Sequence, residues 1–448
     1  MFTVSKFAHP RLLLLTIATA LSAGQVQAAA FQLKENSAKG LGRAFAGSTS
    51  TANDLSVIAT NPASMRLLEG RQFQADVSAI KFSAKLRGGA DATYATGAPI
   101  SGGRGGDAGM LAPVPVAYFH LPLADDTMHL GFSMIVPFGF KTEYDREWVG
   151  RYHGVKTDLR AIDLGAAFSW DINPFFSLGA SVFVERLDIE INNAIDFGSI
   201  LAGASGSGHS PGSHDGFSTV EGDDTSLGYV LGGTFSLNEN THIALSYRSK
   251  VEHKITDGTA RFDVSTATRN TLDAIGQANV FINTAGQAKI TLPASATLSA
   301  SHKVNERWSI MADISHTYWK SAFDQVTVTF SSSQPDNSLK FGYKDTIFAS
   351  VGGEYLFSPN LIVRAGLGYD PTPTTSADRD VRVPDTNRSW LSLGLSWLPI
   401  ENTEFNMGYT HLFMSDPKID ITTATGNKLN GKYKLNSDIL AVSMNYRF

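Results

Sequence analysis

Few side chains in this sequence are spaced for bond-making chemistry. His209 and His214 in HSPGSH could serve a metal, but no further cluster completes a ligand set around them. Gly103–Ala108 (GRGGDA) matches a dinucleotide fingerprint only in form, because no strand leads into it and no helix follows it. Among 448 residues there is no cysteine, which excludes thiol nucleophiles, thiolate metal sites and disulfides. No serine–histidine pairing is evident, so a lipid hydrolase would have to assemble one across distant strands. The expectation is therefore no catalytic residue, no metal and no cofactor.

The candidates that remain are apolar. IVPFGFKTEYDREWVGRY, residues 135–152, places Val136, Phe138, Phe140, Trp148, Val149 and Tyr152 where a polar loop is expected. An apolar loop is either a capture surface or local packing, and both readings stay open. Pro137 sits where a strand would end and removes one ladder donor.

The elements that must position these residues are strands. In ILAVSMNYRF, Leu440, Val442, Met444, Tyr446 and Phe448 share one face, while Ala441, Ser443 and Asn445 lie on the other. RAIDLGAAFSW, LIVRAGLGYD and MHLGFSMIV alternate in the same way. Short connections (123–127, 171–174, 238–240, 305–307, 358–360 and 399–402) alternate with long polar or glycine-rich ones (85–112, 139–157, 192–226, 258–288 and 371–387). An up-and-down barrel of the outer membrane has this rhythm, with short periplasmic turns and long outer loops. Closure also leaves no unpaired edge in lipid. A secreted β-sandwich would alternate too, but loop rhythm and the terminal Phe448 favour an all-β transmembrane barrel of about 14 antiparallel strands. The net charge of −5 argues against a nucleic-acid surface.

Lys6 and Arg11, the apolar run Leu12–Leu21 and the small residues up to Ala28 predict a secretory leader over residues 1–28. Residues 29–71 precede the first clear strand and hold Phe31, Leu33, Leu41, Phe45, Leu55, Val57 and Ile58, too apolar for a solvated tail. They predict a small plug, or hatch, inside a barrel formed by residues 72–448.

The chain resembles the bacterial outer-membrane long-chain fatty acid transporter (FadL) family, which includes aromatic-hydrocarbon uptake members. The resemblance rests on Phe31-Gln32-Leu33 with Gly40-Leu41-Gly42-Arg43-Ala44, and then Asn61-Pro62-Ala63. It continues through Tyr247-Arg248-Ser249, Gly342-Tyr343-Lys344-Asp345, Val383-Pro384-Asp385, Arg388, Trp390-Leu391-Ser392, and Asn445, Tyr446 and Phe448. It implies a 14-stranded barrel and passive uptake of long-chain fatty acids or other apolar small molecules by a monomer embedded in outer-membrane lipid. By the same resemblance Phe31 lines an inner apolar site, and Asn61, Pro62 and Ala63 form the hinge of a gate. Val136, Phe138, Phe140 and Trp148 belong to an external groove, and Pro137 falls near a kinked strand with a lateral opening. Of the candidate lumenal cations Lys340, Lys344, Arg186 and Arg364, Lys340, with Lys344 as neighbour, is the expected partner of a carboxylate head group. A tail of ~15 methylenes gains about 12 kcal/mol on leaving water, against ~1 kcal/mol for an exposed ion pair, so burial supplies affinity and a cation orients. Fatty acid and aromatic hydrocarbon remain open alternatives.

Overall fold

The computed structural model describes residues 31–123, 126–205 and 208–448. The leader expected over residues 1–28 lies outside the described residues. Among the described residues, six continuous walls come first: β1 (Gln72–Thr93), β2 (Leu111–Leu123), β3 (Met128–Glu143), β4 (Lys156–Asn173), β5 (Phe176–Asp196) and β6 (Asp215–Asn238). Four broken walls follow: β7 (Thr241–Arg248) with β8 (Val251–Asp263), β9 (Thr284–Leu292) with β10 (Ser295–Lys303), β11 (Trp308–Thr317) with β12 (Gln325–Phe330), and β13 (Asn337–Lys340) with β14 (Thr346–Ser358). Then come β15 (Leu361–Asp370), β16 (Arg388–Ile400), a last broken wall of β17 (Thr403–Met414) with β18 (Lys418–Thr422), and β19 (Lys428–Arg447). The nineteen segments make fourteen antiparallel walls, and β19 pairs with β1 from Gln72↔Arg447 to Thr93↔Lys428 to close the barrel.

The faces sort by side-chain chemistry. On β19, Leu440 and Val442 are exposed on the outer surface, whereas Ile439, Ala441 and Ser443 are buried inward. Leu164, Phe168 and Trp170 do the same on β4, opposite Asp163, Ala167 and Ser169. Side-chain exposure thus marks a lipid-facing band, as a closed sheet requires. Several strands run beyond the lengths their alternation suggests: β1 reaches Thr93 and β6 begins at Asp215. Those extensions are polar or glycine-rich because they have left the apolar band, so periodicity did not mark them. No described helix is long and apolar enough to cross a membrane.

Residues 31–71 contribute no wall strand. They form short helical turns, Ala38–Gly42, Val57–Thr60 and the 3-10 turn Pro62–Leu67. Ser37 caps the first helix, accepting the Gly40 amide at 3.1 Å and donating to Asp54 at 2.9 Å. The segment touches β15, β16, β17 and β19 on one side and β4, β5 and β6 on the other, so it sits across the lumen. Two glycines make room for it. A Cβ on Gly366 would overlap the Arg43 backbone, and one on Gly179 would overlap the Ala63 amide.

Candidate functional site

The wall is incomplete between β2 and β3. These strands pair only from Leu123↔Met128 to Ala117↔Met134, and the rest of β2 pairs with β1 alone. β3 then bulges between Ile135 and Phe138, at Val136 and Pro137, and continues along β4. Its other edge is taken by the N-terminal segment. The Leu33 amide donates to the Pro137 carbonyl at 2.8 Å and the Gly139 amide to the Phe31 carbonyl at 2.9 Å. Gln32 and Phe138 form an antiparallel bridge. A proline offers no donor but still offers an acceptor, and residues 31–33 act as a short replacement strand there.

Breaks in adjacent walls build the aromatic centre. The chain leaves the ladder at 318–324 between β11 and β12, and at 341–345 between β13 and β14. Freed from strict alternation, Trp319, Phe323, Phe341 and Tyr343 turn inward. They cluster with Phe31, Phe138, Phe140, Leu159, Leu187 and Ile255. The Phe31 ring is fully buried, 4.9 Å from Trp319, 4.7 Å from Phe323 and 5.6 Å from Phe140 between centroids. Edge-on and tilted geometries of this kind favour aromatic association. The indole N–H of Trp319 is buried without a hydrogen-bond partner, an unusual state for a donor in an otherwise apolar chamber.

A cavity of ≈ 120 Å³ lies beside this chamber. Its lining includes Gln32, Leu33, Val136, Pro137 and Phe138 at the wall gap, and Lys34, Arg248 and Asp313 as charged groups. Arg248 is committed through its terminal nitrogens to Asp163 at 2.7 Å and Glu185 at 2.8 Å, though its buried Nε has no partner. Asp313 accepts from the Gly47 amide at 2.6 Å, from Ser299 at 2.6 Å and from Ser48. The Lys34 ammonium has no hydrogen bond or salt bridge among the described residues and rests 4.2 Å from the Phe348 ring centroid. Burial lowers the Lys34 pKa, while Asp370, Asp313 and Glu35 act to raise it.

The expected site residues separate into groups. Phe31, Phe138 and Phe140 meet in the aromatic chamber, and Val136 and Pro137 line the adjoining cavity. Trp148 is elsewhere. It is fully buried in the loop after β3, stacked on Tyr144 at 4.0 Å, with its N–H donated to the Gly154 carbonyl at 2.9 Å. It forms the packed centre of that loop and offers no exposed capture face, because the loop folds back over its own aromatic rings. Lys340 and Lys344 are exposed and line neither chamber nor cavity, since the chain turns at Phe341–Asp345 and sends the rings in and both lysines out. Arg186 is exposed and pairs with Asp188 and Asp223, and Arg364 is held by Glu354 at 2.8 Å. No local pattern in the sequence marks Lys34, Arg248, Trp319 or Phe323 as a binding residue. The first lay within FQLKENS, and the aromatic pair in TYWKSAFD interrupted the alternation of β11.

Asn61, Pro62 and Ala63 lie at the far wall. The Asn61 side chain donates to the Thr49 carbonyl and to the hydroxyls of Ser64 and Thr234, each at 3.1 Å, and accepts the Ala63 amide at 3.2 Å. The three acceptors share its two N–H groups. Arg43 pairs with Asp54 inside the segment at 3.0 Å and ties the segment to the opposite wall through Glu354 of β14 at 2.9 Å. Lys39 adds Glu404 at 2.6 Å. Among the described residues no cluster of three or more His, Asp or Glu could hold a metal ion. Ser236–His242 at 2.9 Å and Ser213–His214 at 2.7 Å are the described serine–histidine contacts, and neither histidine has a carboxylate within hydrogen-bonding reach.

Comparison with known proteins agrees with this architecture. The family profile described as "Outer membrane protein transport protein (OMPP1/FadL/TodX)" matches residues 19–448. The chain is 30% identical over 427 residues to outer membrane protein P1 of Haemophilus influenzae, covering 89% of each. It is 27% identical over 458 residues to the long-chain fatty acid transport protein of Shigella flexneri, covering 97% of this chain and 98% of that one. The crystal structure of a Pseudomonas aeruginosa FadL homologue superposes with a TM-score of 0.87 at 26% identity, covering 93% of this chain and 99% of that one. The chain therefore belongs to the outer membrane protein transport protein (OMPP1/FadL/TodX) family, outer-membrane β-barrels that transport hydrophobic compounds and are not enzymes.

Proposed function

We propose that the protein takes up long-chain fatty acids, with the tail in the aromatic chamber and the carboxylate at Lys34. One observation carries this reading: an ammonium without a salt bridge lines the cavity that joins the wall gap at Pro137 to the chamber around Phe31. A neutral hydrocarbon has no use for such a group. A carboxylate would supply its missing ion pair, and Arg248, whose buried Nε has no partner, lines the same cavity. The tail supplies affinity by burial and the lysine sets direction.

The chamber is filled by Phe31, so a tail enters as that ring leaves. Phe31, Leu33 and Lys34 are on one continuous stretch of backbone, which joins head-group contact to release of the strand at Pro137. Asn61, Pro62 and Ala63 act in this scheme as the fixed end about which the segment moves. In this reading uptake is passive, and the gradient and downstream consumption set its direction. The barrel closes within one chain, so this reading needs no second copy.

The test compares oleate and toluene binding to purified wild type, Lys34→Gln, Lys340→Gln and Lys344→Gln. Oleate affinity should fall about tenfold in Lys34→Gln only, the loss of one partly dry ionic hydrogen bond, with toluene unchanged. Toluene binding tighter than oleate, with no response to Lys34→Gln, would replace this reading by aromatic-hydrocarbon uptake.

A further inference from the structure

We propose that the outward face of β1, β18 and β19, above the lipid-facing band, is a binding site for the phosphate groups of an outer-leaflet glycolipid. The register carries the inference. Val77 and Ala79 on β1 lie beside Val442 and Leu440 on β19 in the apolar band. Continuing away from the short turns along the same outward face, Lys85 is directly opposite Lys434, and Arg87 is directly opposite Lys432. Lys432 is in turn opposite Lys418 of β18. Two successive rows thus hold five cations, with one acid, Asp107, at the Lys85 end.

Like charges directly opposite one another on a sheet face are destabilising. This chain keeps five of them although its net charge is −5. Other outward cations, Arg186 and Lys156 among them, are paired, the first with Asp188 and Asp223 and the second with Glu190. Here Arg87, Lys418, Lys432 and Lys434 are exposed and have no side-chain hydrogen bond or salt bridge among the described residues. Lys85 alone reaches an acid, Asp107 at 3.3 Å. Exposed Asp416, two residues before Lys418, bounds the rows on the β18 side, and the remaining acids are engaged or one row away. Asp438 accepts from Tyr409 at 2.7 Å and His411 at 2.8 Å, and Asp91 and Asp420 flank Asn430 in the next row.

The occupant follows from position and charge. The face is continuous with the surface that lipid covers, so whatever fills it is held at the membrane. It lies on the side of the long loops, which is the outer leaflet. Opposed residues have Cβ atoms about 5 Å apart, so their cationic ends can converge on one phosphate, which accepts from several donors at once. A lipid with acyl chains against Val77, Leu440 and Val442 and phosphorylated sugars above them meets both halves of the surface.

The test uses the full-length protein in neutral detergent and the triple variant Arg87→Gln/Lys418→Gln/Lys432→Gln. Purified lipopolysaccharide and the same glycolipid after enzymatic dephosphorylation are the probes. Wild type should bind the phosphorylated form on the order of a hundredfold more tightly than the triple variant, and lose that advantage as salt is raised. The triple variant should unfold at the same or a higher temperature without glycolipid, because repulsion has been removed; a lower one would mean these residues serve folding and overturn the site. A second triple variant, Lys254→Gln/Lys289→Gln/Lys303→Gln, should bind as wild type does. Equal affinity of wild type for both glycolipid forms would overturn the proposal. So would inorganic tripolyphosphate binding as tightly as the glycolipid, since the surface would then be a generic anion patch.

Discussion

The amide of Leu33 donates to the carbonyl of Pro137 at 2.8 Å. Through this bond a residue near the start of the described chain completes a wall strand that its own neighbour, β2, has abandoned. The same stretch carries Phe31 into the aromatic chamber and Lys34 to the cavity, so pairing, packing and charge all act on four consecutive residues.

Phe31→Ala should lower the unfolding temperature, since truncating a buried Phe costs about 3–5 kcal/mol in a rigid core and less where the segment can relax. It should also enlarge the stabilisation that oleate confers, because the tail fills a space instead of displacing a ring. Thermal scans with and without oleate decide this. Equal oleate shifts in variant and wild type would show that the tail binds outside the chamber.

Arg43→Met leaves Asp54 and the inner oxygen of Glu354 without their shared guanidinium. Breaking a buried pair by removing one partner costs ~3–5 kcal/mol, so docking of the segment should weaken well before the barrel does. Hydrogen exchange should accelerate across residues 37–54 and stay slow in β1 and β19. The double variant Arg43→Met/Asp54→Asn should recover part of the protection. Uniform loss throughout the barrel would refute a separately docked segment.

Two carboxylates in the segment respond to pH with opposite signs. Burial raises the Glu35 pKa to about 7, and one of its oxygens has no partner. The native state therefore holds that proton where the unfolded chain has released it, and docking weakens as pH rises from the ordinary carboxylate range toward 7. Asp54 is held below its usual range despite burial, by Arg43 and Lys39. Its contribution is complete above the ordinary carboxylate pKa and is lost as pH falls through its native value. Protection of residues 31–36 should thus be greater at pH 5 than at pH 8, and Glu35→Gln should abolish the difference.

Gly366→Val should expel Arg43 from its place, since even the first added carbon overlaps that backbone. The wall itself faces no such obstacle. Folding into detergent, read by heat-dependent mobility on gels, should be retained, while hydrogen exchange in residues 40–46 should rise at least tenfold, the equivalent of about 1.4 kcal/mol. Unchanged exchange would show that the segment shifts without undocking.

Much of the architecture was legible before any coordinates. Alternation in ILAVSMNYRF and RAIDLGAAFSW marks two faces because strand side chains point to opposite sides, and the alternation of short and long connections orders the turns. Local pattern suffices for those features because each depends on neighbours in the chain. The site depends on residues far apart in it. Phe31, Phe138, Trp319 and Phe341 meet only because adjacent walls break at corresponding heights, and a break has no period to read. Lys340 and Lys344 resembled head-group cations by their place beside FGYKD, but a turn of a few residues sent them outward. Lys34 took the inward position because the residues just before it, Phe31–Leu33, pair along the edge of β3. The basic rows on β1, β18 and β19 have a similar origin: a hairpin sets Lys418 beside Lys432, and barrel closure brings Arg87 and Lys85 against them. Sequence determined which faces meet lipid; only the closed register decided which charges meet each other, because that is fixed by hydrogen bonds between strands hundreds of residues apart.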